Sequence, residues 1–205
     1  MLNRLIDHFR PPAIRTLPAF RRFVSGEASY LAQRSTYEFS RNTLAWYGQH
    51  AFADDRFNDA FRVCRWEAYA ALTTRFVLLA RARLDISDAA ASARVAAALT
   101  DQAAAMLAEY PLPTHRQAWD DILGALRQRL VTYDIAAPPG PATLGNEAAA
   151  IVYPTLPVRS GNATEDREVI ANALRFGTIA VNDRLGARLD RAAILGLLLA
   201  GDAAA

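Results

Sequence analysis

Residues 20–47 read FRRFVSGEASYLAQRSTYEFSRNTLAWY, and their spacing predicts one long helix, about 19–48. At about 100° per residue, Phe20, Phe23, Val24, Tyr30 and Leu31 share a face that suits a core. Glu27, Arg34, Glu38 and Arg41 fall on that same face, at spacings of seven, four and three. An acid–base ladder thus continues an apolar seam, either as a buried network or as the wall of a cleft. The expectation is that Arg34 and Glu38 are buried, with Arg75 or Arg41 completing the charge balance. With Tyr37 beside them, the candidate ligand-binding set is Glu27, Arg34, Tyr37, Glu38, Arg41 and Arg75. No catalytic motif lies on this ladder, and no catalytic residue is assigned.

Working outward, Asp54 or Asp55 is placed to cap a second long helix, about 56–84. Phe57, Phe61, Cys64, Ala68, Leu72 and Leu79 form one face of it, and Trp66, Tyr69, Thr73 and Val77 a nearly opposite one. A helix apolar on two sides is buried on two sides, so this one is expected at the centre. Ser87 or Asp88 opens an alanine-rich third helix to about residue 109, ended by Pro111 and Pro113. Thr114 with Gln117 reads as a capping box for a fourth, to about residue 133. A Pro- and Gly-rich crossover is expected over 134–145, then a short helix over 146–152. Asn162 or Thr164 begins a helix to about residue 185, stopped by Gly186, and Asp190 caps a last apolar one.

No stretch alternates with period two for long. The expected fold is all-α: a single-domain bundle of about six or seven helices around the long second one. Residues 1–18 are set apart as a basic N-terminal arm, in which Leu2, Leu5, Ile6 and Phe9 have helical spacing before Pro11 and Pro12. The domain proper is taken as 19–205.

The chain of 205 residues is 52% apolar, which excludes a disordered class. Its 23 basic side chains are all arginine, and a guanidinium tolerates burial beside a carboxylate better than an ammonium does. The net charge of +2 is too balanced for a nucleic-acid-binding surface over the whole domain. Cys64 is the single cysteine, which fits a reducing, cytoplasmic setting. The longest apolar run, 192–200, is about half of what spans a bilayer.

Several chemistries lack their residues. A phosphate-binding loop needs lysine after its glycines; Gly140 and Gly145 have the spacing, but Asn146 follows. His8, His50 and His115 stand alone in sequence, without the Glu-x-x-His pairs of a di-iron bundle. Two acidic runs have metal-site character: Asp54-Asp55-x-x-x-Asp59, and Asn182-Asp183-x-x-Gly186-x-x-x-Asp190. Their order and separation resemble the magnesium-binding runs of class I terpene synthases, with Gly186 and Asp190 departing from that pattern. The resemblance implies Asp54, Asp55, Asn182, Asp183 and Asp190 as ligands holding a diphosphate. The reading adopted is helix capping by Asp54, Asp55 and Asp190, with no metal and no cofactor expected.

The function this favours is a non-catalytic interaction, adaptor or regulatory protein, self-associating as a homodimer. The alanine-rich third helix and the last helix are its candidate surfaces, Ile194, Leu197 and Leu198 above all. The alternative is a small-molecule site, enzyme or carrier, built from the polar ladder.

Overall fold

The computed structural model describes residues 12–44, 49–84, 86 and 88–201. Among them run seven α-helices and no strand: α1 (Leu17–Leu44), α2 (Asp55–Arg81), α3 (Ala89–Leu107), α4 (Asp120–Val131), α5 (Pro141–Val152), α6 (Ala163–Arg188) and α7 (Arg191–Ala200). Short 3-10 turns occupy Gln49–Ala53 and Tyr153–Thr155. Every helix contributes to one hydrophobic cluster, so the all-α single-domain bundle expected from the periodicity is the fold. The spacing at Leu2, Leu5, Ile6 and Phe9 and the end of the first helix at Trp46 lie outside the described residues.

The second helix is central. Apart from Arg75, every α2 residue from 67 to 81 is buried, and α2 touches every other helix except α7. Asp54 caps it, its Oδ1 accepting the backbone N–H of Arg56 (2.7 Å) and Phe57 (3.2 Å). At the other end Arg81 is 1% exposed, over the Tyr133 ring, donating to Leu84 O and Ser92 Oγ. A cation in a last helical turn faces the unpaired carbonyl end of its own helix. Asp88, Asn162 and Asp190 cap α3, α6 and α7 in the same way, as their sequence positions predict.

The buried face of α1 is not the one the ladder follows. Past Leu31 it runs through Ala32, Ser35, Thr36, Phe39, Ser40 and Thr43. Ser35 and Thr36 turn their hydroxyls back onto the carbonyls of Leu31 and Ala32 (2.7 Å each). With the hydroxyl spent on its own helix, each presents a small apolar flank to the core. Arg34, Tyr37 and Arg41 are therefore exposed and Glu38 about half so, against the expected burial.

Three boundaries also move. Thr114 and Gln117 do not cap a helix; α4 starts at Asp120, because the preceding turn carries His115 and Arg116 inward to Glu67. Pro141 is the first residue of α5, where a missing N–H is harmless, so the crossover is shorter than 134–145. Gly186 does not stop α6, which continues to Arg188. In α7, Ile194 and Leu198 are buried in the chain's own core and only Leu197 of the three faces outward.

Close approach sets two crossings. A Cβ on Gly145 of α5 would lie 2.6 Å from Arg175 Cα of α6, and one on Gly177 of α6 would lie 2.3 Å from Leu31 Cδ1 of α1. Near the N-terminus, buried Ile14 donates its N–H to Arg188 O (2.8 Å) and accepts from Asp190 N (3.1 Å), tying this segment to the α6–α7 junction.

Candidate functional site

Helical spacing lines up Glu67, Ala71, Arg75 and Leu78 along one side of α2. Facing them are Ile122, Leu126 and Arg129 of α4 and Ile151 of α5, and together they enclose a cavity of about 310 Å³. Its body is apolar and its two ends are charged. Such a plan, an apolar hollow with a few fixed polar groups, is that of a small-molecule site.

One end is closed by Glu67. Its carboxylate accepts from Arg116 Nε and Nη2 (2.6 Å each), and His115 Nε2 lies 2.8 Å from Oε1. Arg116 also donates to both oxygens of Asp121 and lies over the Trp119 ring. Burial alone would raise the Glu67 carboxyl; the hydrogen bonds of Arg116 and His115 and the Arg116 charge outweigh it and hold it below the usual carboxylate range. Glu67 raises Arg116 in return. Neither group is set for proton transfer near neutrality.

The other end is less well matched. Arg129 donates to both oxygens of Glu147, and Arg75 Nε stands 3.6 Å from Glu147 Oε2. Two guanidiniums thus share one carboxylate. Among the described residues the buried Arg75 Nε finds no hydrogen-bond partner, and Nη1 donates only to Thr74 Oγ1 (2.9 Å). Burial and then the neighbouring Arg129 charge lower Arg75 from its ordinary value, against the pull of Glu147.

The Cys64 thiol, buried on α2, is pushed up to about 11 by burial and is no nucleophile at neutral pH.

Of the six ladder candidates, only Arg75 lines this cavity. Arg34 donates to Glu38 (3.1 Å) and Tyr30, at the surface. The Tyr37 ring lies against Phe52. Glu27 pairs with Arg184 of α6 through both oxygens (2.8 and 2.6 Å), beside a wider hollow of about 730 Å³. That hollow is bounded by Pro12, where the described residues begin, and its acid is already paired. The two acidic runs do not meet. Asp54 and Asp55 start α2, while Asn182 accepts from Arg83 just past its end, and about 28 residues of helix span about 40 Å. Among the described residues no three metal-ligating side chains gather.

Glu67, His115, Arg116, Arg129 and Glu147 were missed by sequence reasoning. One signal was present: Glu67 and Arg75, eight apart with Ala71 between them, are charges within the most apolar stretch of the second helix, 66–80. No known protein family, curated protein or solved structure matches this chain.

Proposed function

We propose that the chain binds a small amphipathic acid in the cavity among α2, α4 and α5, with the anionic group on Arg75 and Arg129. The observation that carries this is Arg75: a mostly buried guanidinium whose Nε has no acceptor and whose one acid is held more closely by Arg129. A buried cation that shares its one acid with a second guanidinium, and makes no hydrogen bond to that acid, is poorly stabilised by its own fold. A carboxylate or phosphate would complete it, and the apolar tail would lie along Ala71, Ile122 and Leu126. Titration calorimetry with octanoate and with phenyl phosphate tests this. Saturable heat is expected for at least one, weakened tenfold or more in Arg75→Met while the variant stays folded. No heat from either acid, or equal affinity in the variant, removes the reading.

A second reading, association with a protein partner or a second copy, rests on α6. Phe176 is 63% and Val169 46% exposed, with Ala173 and Ala180 completing an outward stripe at spacings of four, three and four. Exposed apolar stripes of this kind favour partners. Sedimentation at tens of micromolar, compared with Phe176→Ser, tests it: a monomer in both argues against a homodimer. A cytoplasmic location rests on the lone Cys64. Among the described residues no helix is long and apolar enough to cross a membrane.

A further inference from the structure

The other side of α2 carries a different hollow. The line of Val77, Thr73 and Tyr69, buried at 4% exposure or less, leaves the core at Trp66 and ends at the exposed Arg62 and Arg65. There Trp66, Tyr69 and Tyr110 meet in pairs, with centroids 5.7 to 5.9 Å apart and planes crossed by 64 to 90°. Ser29 and Gln33, one turn apart on α1, form the opposite wall of a cleft of about 300 Å³.

Each part has a stated chemistry. The Tyr69 ring is locked: its hydroxyl bonds Ser25 Oγ (2.9 Å) and donates to Met106 O (3.1 Å), and burial raises it, so the floor stays neutral. Tyr110 is 44% exposed and Trp66 half-buried, so ring surface remains open to a ligand. Among the described residues no acid lines the cleft. Asp59 is drawn to Arg62 in a bridge whose partners are 63% and 70% exposed, and Glu109 is turned to Ser25 Oγ. Arg65 lies over Phe61 at 5.9 Å, and among the described residues no carboxylate pairs with it. An exposed bridge is readily exchanged for another anion. Open aromatic faces favour stacking by a flat ring, and paired guanidiniums favour an oxyanion.

We propose that this cleft binds a planar aromatic ring bearing one anionic group, the ring on Trp66 and Tyr110 and the anion on Arg62 and Arg65. Ser29 and Gln33 offer hydrogen bonds to heteroatoms on the ring edge. A nucleoside monophosphate and a simple aryl phosphate share this chemistry. The site stands apart from the Arg75 cavity: the two share no lining residue, and Tyr69 and Leu78, nine positions apart, fall on opposite sides of α2.

The chain has three tryptophans, so fluorotryptophan labelling gives three fluorine resonances, with Trp66 assigned by its loss in Trp66→Phe. The probes are adenosine monophosphate, phenyl phosphate, ribose phosphate and adenosine. A saturable shift of the Trp66 resonance is expected with at least one of the first two, and at least tenfold weaker with the ringless or uncharged probe. The double variant Arg62→Gln, Arg65→Gln should weaken it tenfold or more without moving the melting temperature, since both side chains are exposed. Response to adenosine monophosphate alone would assign a nucleotide; response to both phosphates assigns the shared chemistry. Ribose phosphate binding as well as the aromatic probes overturns the proposal. So does an unmoved Trp66 at millimolar probe, or an affinity unchanged in the double variant. Trp119, under Arg116, reports the other cavity, so the two proposals fail separately.

Discussion

Glu67 of α2 and Arg116 of the turn before α4 are joined by two parallel hydrogen bonds of 2.6 Å, with side chains only 10% and 18% exposed. This pair fixes where α4 begins. Removing one partner of a buried pair strands the other. Glu67→Gln is expected to destabilise the fold by about 3 kcal/mol, the low end for such a loss, because Asp121 still faces Arg116. The folded Glu67 carboxyl lies below its usual range, so the unfolded chain takes up its proton more readily. The stabilisation is complete above the usual carboxylate value, about 4.3, and is lost as the pH falls through the lowered folded value. Urea unfolding near neutrality and at about pH 3 should show the gap between wild type and Glu67→Gln closing in acid. A gap that widens in acid contradicts this assignment.

The ladder residues separate into two kinds. Arg34 and Glu38 are 56% and 47% exposed, an i,i+4 pair on a wet helix face. Glu38→Gln should shift stability by no more than about 0.5 kcal/mol. Glu27, 18% exposed and doubly bonded to Arg184, links α1 to α6, and Glu27→Gln should cost about 1 kcal/mol after screening at the half-exposed arginine. Thermal melts of both variants decide it, and a larger effect at Glu38 than at Glu27 reverses the order.

Gly145 and Gly177 offer a matched comparison. Each gains about 1 kcal/mol of helix propensity on conversion to alanine. At Gly177 the new methyl meets the end of the Leu31 side chain, which can turn aside, so Gly177→Ala should change stability by under about 1 kcal/mol. At Gly145 it meets the backbone of Arg175 at 2.6 to 2.9 Å, and the α5–α6 crossing itself must open. Gly145→Ala should destabilise by more than about 2 kcal/mol, read from denaturant midpoints.

Asp190 does two jobs. Its Oδ1 accepts the Ala193 N–H, capping α7, and its Oδ2 accepts from Arg15 at the surface. Asp190→Ala should cost about 1 kcal/mol, and Asp190→Asn only a few tenths, since asparagine caps equally well. Limited proteolysis near Ile14 should quicken in the alanine variant alone.

What residues 12–201 determine by themselves is what short range can satisfy. The helix class follows from periodicity, and the caps at Asp54, Asp88, Asn162 and Asp190 are closed within three residues of chain. The central place of α2 was legible because two apolar faces require two coverings. The partners of the charges were not. Glu67 meets Arg116 across 49 positions, Arg129 meets Glu147 across 18, and Arg184 meets Glu27 across 157. A sequence states the sign of each side chain, and every acid here had many arginines to choose from. Tertiary packing made the choice, through helix crossings as close as Gly145 against Arg175. The same packing buried Ser35 and Thr36 in place of Arg34 and Glu38, since a hydroxyl can bond its own helix and a guanidinium needs a partner or water.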